Sequence, residues 1–366
     1  MQSHALEAIS ADAWGLMGLA LGLLEHAHSS LLTPSLLPAM AMFVVDSRKA
    51  LRVLDPALAA TLEDEFLSQL ALSRRRAKLL DDRVLSVDEA ARELMAIASN
   101  QTQHFLGLHS GPLAPLKRAL QPDIGLTTYD GRLVATTHFT AAIVGWRDGT
   151  DPEALGTQIA VAASEFATYG LSLLLSFDLG VPDPLPVDML DRPVVMRDAY
   201  SPSLYRRGLM NGLPHELAVG AAGVLVTVNH LRHIALPVLP PRSLTAFRLK
   251  TITAFHADSY LTYLQNRLYC DGSDSPLRNA LSGVLGQPAS RWLRKRKALR
   301  NTLVHYLADA DDSHSKCSRS AVLAKLGGKP VEEMDELVDS HLETMARMLE
   351  QAFELAGSVT IGSVVR

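Results

Sequence analysis

Apolar residues recur at helical spacing along most of the chain. From Leu6 to about Leu106, Ala, Leu, Glu and Arg dominate, with early breaks at Pro34 and Pro38, and this predicts a group of helices. The clearest is Ser86 to Ser99, where Ser86 caps, Glu89 stands three residues on, and Leu94, Ile97 and Ala98 form the stripe. The short basic run Arg74, Arg75, Arg76 and Lys78 is followed at once by Asp81 and Asp82, and it reads as a solvated helix face. Between Ile124 and Ile143 the period changes. Asp130-Gly131 between β-branched runs predicts one small hairpin near 124–140.

Ala154 to Leu179 returns to an apolar, buried helix. Val181 to Pro193 carries four prolines in 13 residues, reads as a linker, and sets the expected domain boundary. A mainly helical N-terminal region, 1–195, is thus expected to precede a helical domain at 205–357. In that domain Glu216 to Ile234 predicts one helix, and Leu244, Phe247, Ile252, Phe255, Leu261, Leu264 and Leu268 mark a second. A third opens at Pro330, carries acidic residues in its first turn, has a stripe from Met334 to Phe353, and ends by Gly357.

Composition narrows the class. With 48% hydrophobic and 20% charged residues, the chain is globular, and its 366 residues suffice for two or three cores or one large helical one. Cys270 and Cys317 cannot form a disulfide framework and read as free thiols. The most apolar stretch, Ala13 to Leu24, is interrupted by Gly15, Gly18 and Gly22 and has no preceding Lys or Arg. It matches neither a secretory signal nor a membrane span, so the expectation is a cytoplasmic protein without a membrane partner.

The net charge of −4 conceals a concentration of positive charge. Between Ser275 and Ala308 stand seven basic residues (Arg278, Arg291, Arg294, Lys295, Arg296, Lys297 and Arg300) and no acidic one, which leaves −11 for the remainder. Such polarity suits a phosphate-bearing partner. If Arg291 to Leu307 forms one helix, Trp292, Leu299, Leu303, Tyr306 and Leu307 share a core face. Lys297, Asn301 and His305 then point away from it, with Arg300 on one shoulder. Leu293 and Val304 fall on this otherwise polar side and read as a dimer face.

Arg300-Asn301-Thr302-Leu303-Val304-His305 resembles the Arg-x4-His signature, in its Arg-Asn-x-x-x-His form, of the HEPN superfamily of small helical domains. Many of these are metal-independent RNases of toxin–antitoxin, phage-defence and RNA-processing systems; others only bind RNA or dimerise. The resemblance covers about 205–357 and implies an antiparallel helical bundle. It further implies that His305 is the general base or acid, that Arg300 holds the scissile phosphate, and that Asn301 orients one of them. Arg294, Lys295, Arg296 and Lys297 would add contacts to the RNA backbone. The product would carry a 2′,3′-cyclic phosphate, with no metal or other cofactor. The expected partners are RNA, a second copy in a homodimer, and a neutralising antitoxin or regulatory protein. The alternative is a non-catalytic helical protein that binds RNA or another protein.

Other constellations carry less. His230 and His233 stand at i, i+3 and could ligate a metal or haem, but no acidic or cysteine ligand lies beside them. Asp309, Asp311, Asp312, His314 and Cys317 match no standard metal loop, and His104 and His109 lack a nucleophile nearby. Nucleophile-elbow, phosphate-loop and dinucleotide-binding motifs are absent.

Overall fold

Gly18 and Gly22, which interrupt the first apolar stretch, make room for another part of the chain. In the computed structural model they lie on helix α1 (His4–Glu25). A Cβ on Gly22 would collide with the carbonyl oxygen of Leu185, and the Leu185 amide donates to the Gly18 carbonyl at 2.9 Å. The proline-rich segment expected to be a linker is therefore docked along α1. The structure describes residues 4–62, 68–77, 96, 111–113, 115–116, 121–145, 152–270, 275–306 and 318–355. The expected helix at Ser86–Ser99 falls almost wholly outside them, as do Lys78, His104, His109, Leu307 and the 309–317 cluster.

The protein is mainly helical. After α1 come α2 (Leu37–Leu54) and α3 (Ser68–Ala77), then strands β1 (Ile124–Tyr129) and β2 (Arg132–Thr136), α4 (Thr137–Val144) and α5 (Pro152–Ser176). β3 (Val194–Ala199), α6 (His215–His230), α7 (Leu244–Cys270), α8 (Pro276–Leu285) and α9 (Pro288–Arg294) follow. Helices α10 (Lys297–His305), α11 (Arg319–Gly327) and α12 (Val331–Ala352) complete the order.

The hairpin forms where Asp130-Gly131 demands it, since both residues take positive φ, 49° and 74°. It is part of a three-stranded antiparallel sheet, because β3 pairs along the whole of β1 in the order β2-β1-β3. That pairing joins residues some 70 positions apart, beyond the reach of any local pattern.

One hydrophobic core draws on both halves of the chain, including Leu16 of α1, Phe43 of α2, Val134 of β2, Phe166 of α5, Leu225 of α6, Leu261 of α7 and Phe353 of α12. The proline-rich segment at 181–193 does not divide two cores. A smaller cluster packs Met42 of α2 with Phe247 and Ile252 of α7, Leu299, Leu303 and Val304 of α10, Leu323 and Met334. The N-terminal helices thus reach the basic region directly.

Four helical stretches, His4–Glu25, Ser29–Leu54, Ala154–Ser176 and His215–Val238, are long and apolar enough to cross a membrane. Judging Ala13–Leu24 alone undercounts them, since each whole helix exceeds that dozen residues. All four contribute to the shared core.

Candidate functional site

The basic region is two helices. The chain leaves the helical conformation at Arg296 (φ −111°, ψ 47°) between α9 and α10. Four consecutive cations, Arg294 to Lys297, stand at this point. The joint is fastened to the end of α11: the Trp292 indole donates to the Gly327 carbonyl at 2.9 Å, and the Arg296 guanidinium lies where a Cβ on Gly328 would stand. This break alters the expected faces. Leu293 and Val304 are both buried in the chain's own interior, so they do not form an exposed dimer face. Trp292 is only half-buried.

Burial of Leu299, Leu303 and Val304 fixes the roll of α10 about its axis. His305 then faces α2. Its Nδ1 lies 3.3 Å from Oδ1 of Asp46, one helical turn along α2 from Met42. The other carboxylate oxygen, Oδ2, accepts from Nε of Arg74 of α3 at 2.7 Å, and Arg74 Nη2 stands 2.6 Å away in the same ion pair. Asp46 and Arg74 are 1% and 3% exposed, whereas the His305 side chain is 42% exposed. Burial raises the Asp46 pKa, but the His305 hydrogen bond and the Arg74 charge outweigh it and hold the carboxyl below its ordinary value. Asp46 is therefore ionised at neutral pH. With Nδ1–H donating to this carboxylate, neutral His305 presents a bare Nε2.

Arg300 is half-buried, and burial together with the like charge of Arg74 lowers its pKa. Even so, a guanidinium stays charged at neutral pH. Arg300 and His305 thus adjoin one buried ion pair, the first through Arg74 and the second through Asp46. Asn301 is exposed, as are Arg294, Lys295 and Lys297. Arg294 also donates to the Leu285 carbonyl at 2.7 Å, while Arg296 is half-buried against α11.

Asp46 and Arg74 are the site residues that sequence reasoning missed. The basic run predicts a solvated face for Arg74, but the side chain is buried and paired with Asp46. The available signal for Asp46 was a lone carboxylate at the end of the apolar run Leu37–Val45, a position unfavourable to a charge without a partner.

His230 and His233 straddle the start of a π-helical turn, Leu231–Ala235, that extends α6. His230 is buried with no hydrogen-bond partner for either ring nitrogen, and burial pushes both histidines down to about 4. Among the described residues, no group of three or more His, Cys, Asp or Glu side chains is placed to hold a metal ion. Comparison of the chain with protein-family models, with curated proteins and with solved structures finds no match in any of the three.

Proposed function

We propose that this chain is a metal-independent endoribonuclease of toxin or phage-defence type, acting in the cytoplasm, with a HEPN-type helical region around Arg300 and His305. The observation that carries the reading is the half-exposed His305 imidazole held at Nδ1 by a fully buried, ionised Asp46, beside Arg300 on a basic surface. That arrangement favours one tautomer and a free Nε2, as general-base catalysis requires.

In the proposed reaction, His305 Nε2 takes the proton from a ribose 2′-hydroxyl and the 2′-oxygen attacks the adjacent phosphorus. The bond to the 5′-oxygen breaks, that oxygen takes a proton from water, His305 returns its proton to the hydroxide so formed, and the products are a 2′,3′-cyclic phosphate and a 5′-hydroxyl. Arg300 stabilises the charge that develops on the phosphoryl oxygens. Lys295, Lys297 and Arg294 hold the RNA backbone without reading base sequence. The N-terminal half supplies Asp46 and Arg74, so it completes the site.

A second reading, a non-catalytic helical RNA-binding or interaction protein, draws on the same contact, since the Asp46–His305 hydrogen bond also ties α10 to α2. Incubating the purified protein with labelled RNA in EDTA, alongside Arg300→Ala and His305→Ala, separates the two. Cleavage by the parent protein alone supports the nuclease. Binding without cleavage by all three supports the second reading, and equal cleavage by all three rejects the assigned residues.

A further inference from the structure

The turn immediately after His305 is unusual. Tyr306 has φ 59° and ψ −5°, the left-handed conformation that a residue with a large side chain rarely adopts, and its ring is buried. Its hydroxyl donates to Oδ2 of Asp12 at 2.9 Å, and the guanidinium of Arg248 lies 4.4 Å from the ring centroid. Arg248 Nη1 is 3.3 Å from the same Asp12 oxygen, and its Nε donates to the Leu303 carbonyl at 2.6 Å. The second Asp12 oxygen accepts from the Thr245 hydroxyl at 2.6 Å. Asp12 and Arg248 are 0% and 1% exposed.

These contacts converge on the two sides of His305. The Leu303 carbonyl is one of those that a helix end leaves without an intrahelical partner, and a cation beside it also complements the helix dipole. Tyr306 is the next residue along the chain. Arg248 of α7 thus holds the Leu303 carbonyl before His305, and Asp12 of α1, itself held by Thr245 of α7, receives the Tyr306 hydroxyl after it. Asp46 meanwhile holds the ring itself. A buried ion pair is weak evidence for stability, because apolar residues of similar volume commonly serve folding as well. It does impose one geometry.

We infer that Asp12, Arg248 and Tyr306 are positioning residues for His305, locking the end of α10 so that Nδ1 meets Asp46 and Nε2 faces the substrate. This rests on the reading of His305 as the proton-transfer group. The test combines RNA cleavage with nitrogen NMR of the His305 ring, whose tautomer is read in the absence of substrate. Tyr306→Phe removes only the hydroxyl, and Arg248→Lys keeps the charge while losing the bond to Leu303. Both are expected to retain the helical circular dichroism of the parent. kcat should fall on the order of 10-fold to 100-fold with KM within about twofold, as for a misplaced catalytic group. The His305 ring should change from one tautomer to a mixture.

Parent-like kcat and a parent-like single tautomer in both folded variants would overturn the inference. If the parent protein does not cleave RNA, the nuclease reading fails. The tautomer measurement still decides whether the network positions His305. Thr245→Val, which removes one donor to Asp12 and leaves Tyr306 and Arg248 intact, is the milder variant if the other two do not fold, and the same tautomer criterion applies to it.

Discussion

Replacing Asp46 with Asn isolates the charge at the centre of the site. The side chain keeps its shape, but Arg74, at 3% exposure, loses the charged carboxylate that accepts from its Nε and pairs with its Nη2. Breaking a buried ion pair by removing one partner costs about 3–5 kcal/mol. The His305 contact adds less than about 1 kcal/mol, since that side chain is 42% exposed and water screens it. The expected loss is therefore about 4 kcal/mol, a large share of the roughly 5–15 kcal/mol typical of a folded protein. Asp46→Leu combined with Arg74→Met removes both charges and their desolvation. It should cost less than about 2 kcal/mol, which gives a strong coupling between the two positions. Urea titrations followed by circular dichroism measure these proteins together with the single variants Asp46→Leu and Arg74→Met, which close the cycle. Because Asp46 titrates below its ordinary value of 3.8, its contribution is complete above about pH 4 and is lost as the pH falls through its depressed pKa. The same difference is thus expected at pH 7 and pH 5.5. A loss under about 1 kcal/mol for Asp46→Asn, or single effects that simply add in the double variant, would refute the account of this pair.

Three further outcomes follow from other parts of the molecule. Changing Lys295 and Lys297 to Gln should weaken RNA binding and reduce the slope of log affinity against log salt by about 1.4, as for two phosphate contacts on a single strand; an unchanged slope in a filter-binding titration would place the RNA elsewhere. Burial holds His138 and His230 at about 4, whereas the unfolded chain protonates them near 6.5, so the stability they contribute is complete above pH 6.5 and is lost as pH falls toward 4. Each accounts for about 3 kcal/mol over that window, and His230→Leu, which removes two ring nitrogens without partners, should raise the urea midpoint more at pH 5 than at pH 7. Gly22→Ala would force α1 away from the Leu185 carbonyl and should cost about 1–3 kcal/mol; a parent-like thermal midpoint would contradict that packing.

The readable features were those encoded within one element. Asp130-Gly131 specified its turn because the residues that tolerate positive φ are few, and the stripes from Leu244 to Leu268 and from Met334 to Phe353 repeat often enough to define α7 and α12. The Arg300/His305 proposal likewise rests on a single six-residue segment. What escaped depends on partners distant in sequence. β3 is defined by β1, and Arg74 is buried in an ion pair with Asp46, 28 residues earlier. The helix break at Lys295-Arg296 carries no Pro or Gly signal. It falls where Trp292 and Arg296 dock on Gly327 and Gly328, and Leu293 and Val304 on its two sides are turned inward. The docked proline-rich segment followed the same logic, since the space for it is provided by two glycines more than 160 residues earlier.

The most direct test is the chemistry of the product ends. An RNA and a DNA oligonucleotide of one sequence are incubated in EDTA with the parent protein and with His305→Ala, and the fragments are weighed by mass spectrometry. The account predicts 2′,3′-cyclic phosphate and 5′-hydroxyl ends from RNA with the parent alone, and no cleavage of DNA, which lacks the attacking 2′-hydroxyl. Cleavage of DNA, or cyclic-phosphate ends produced equally by His305→Ala, would contradict it.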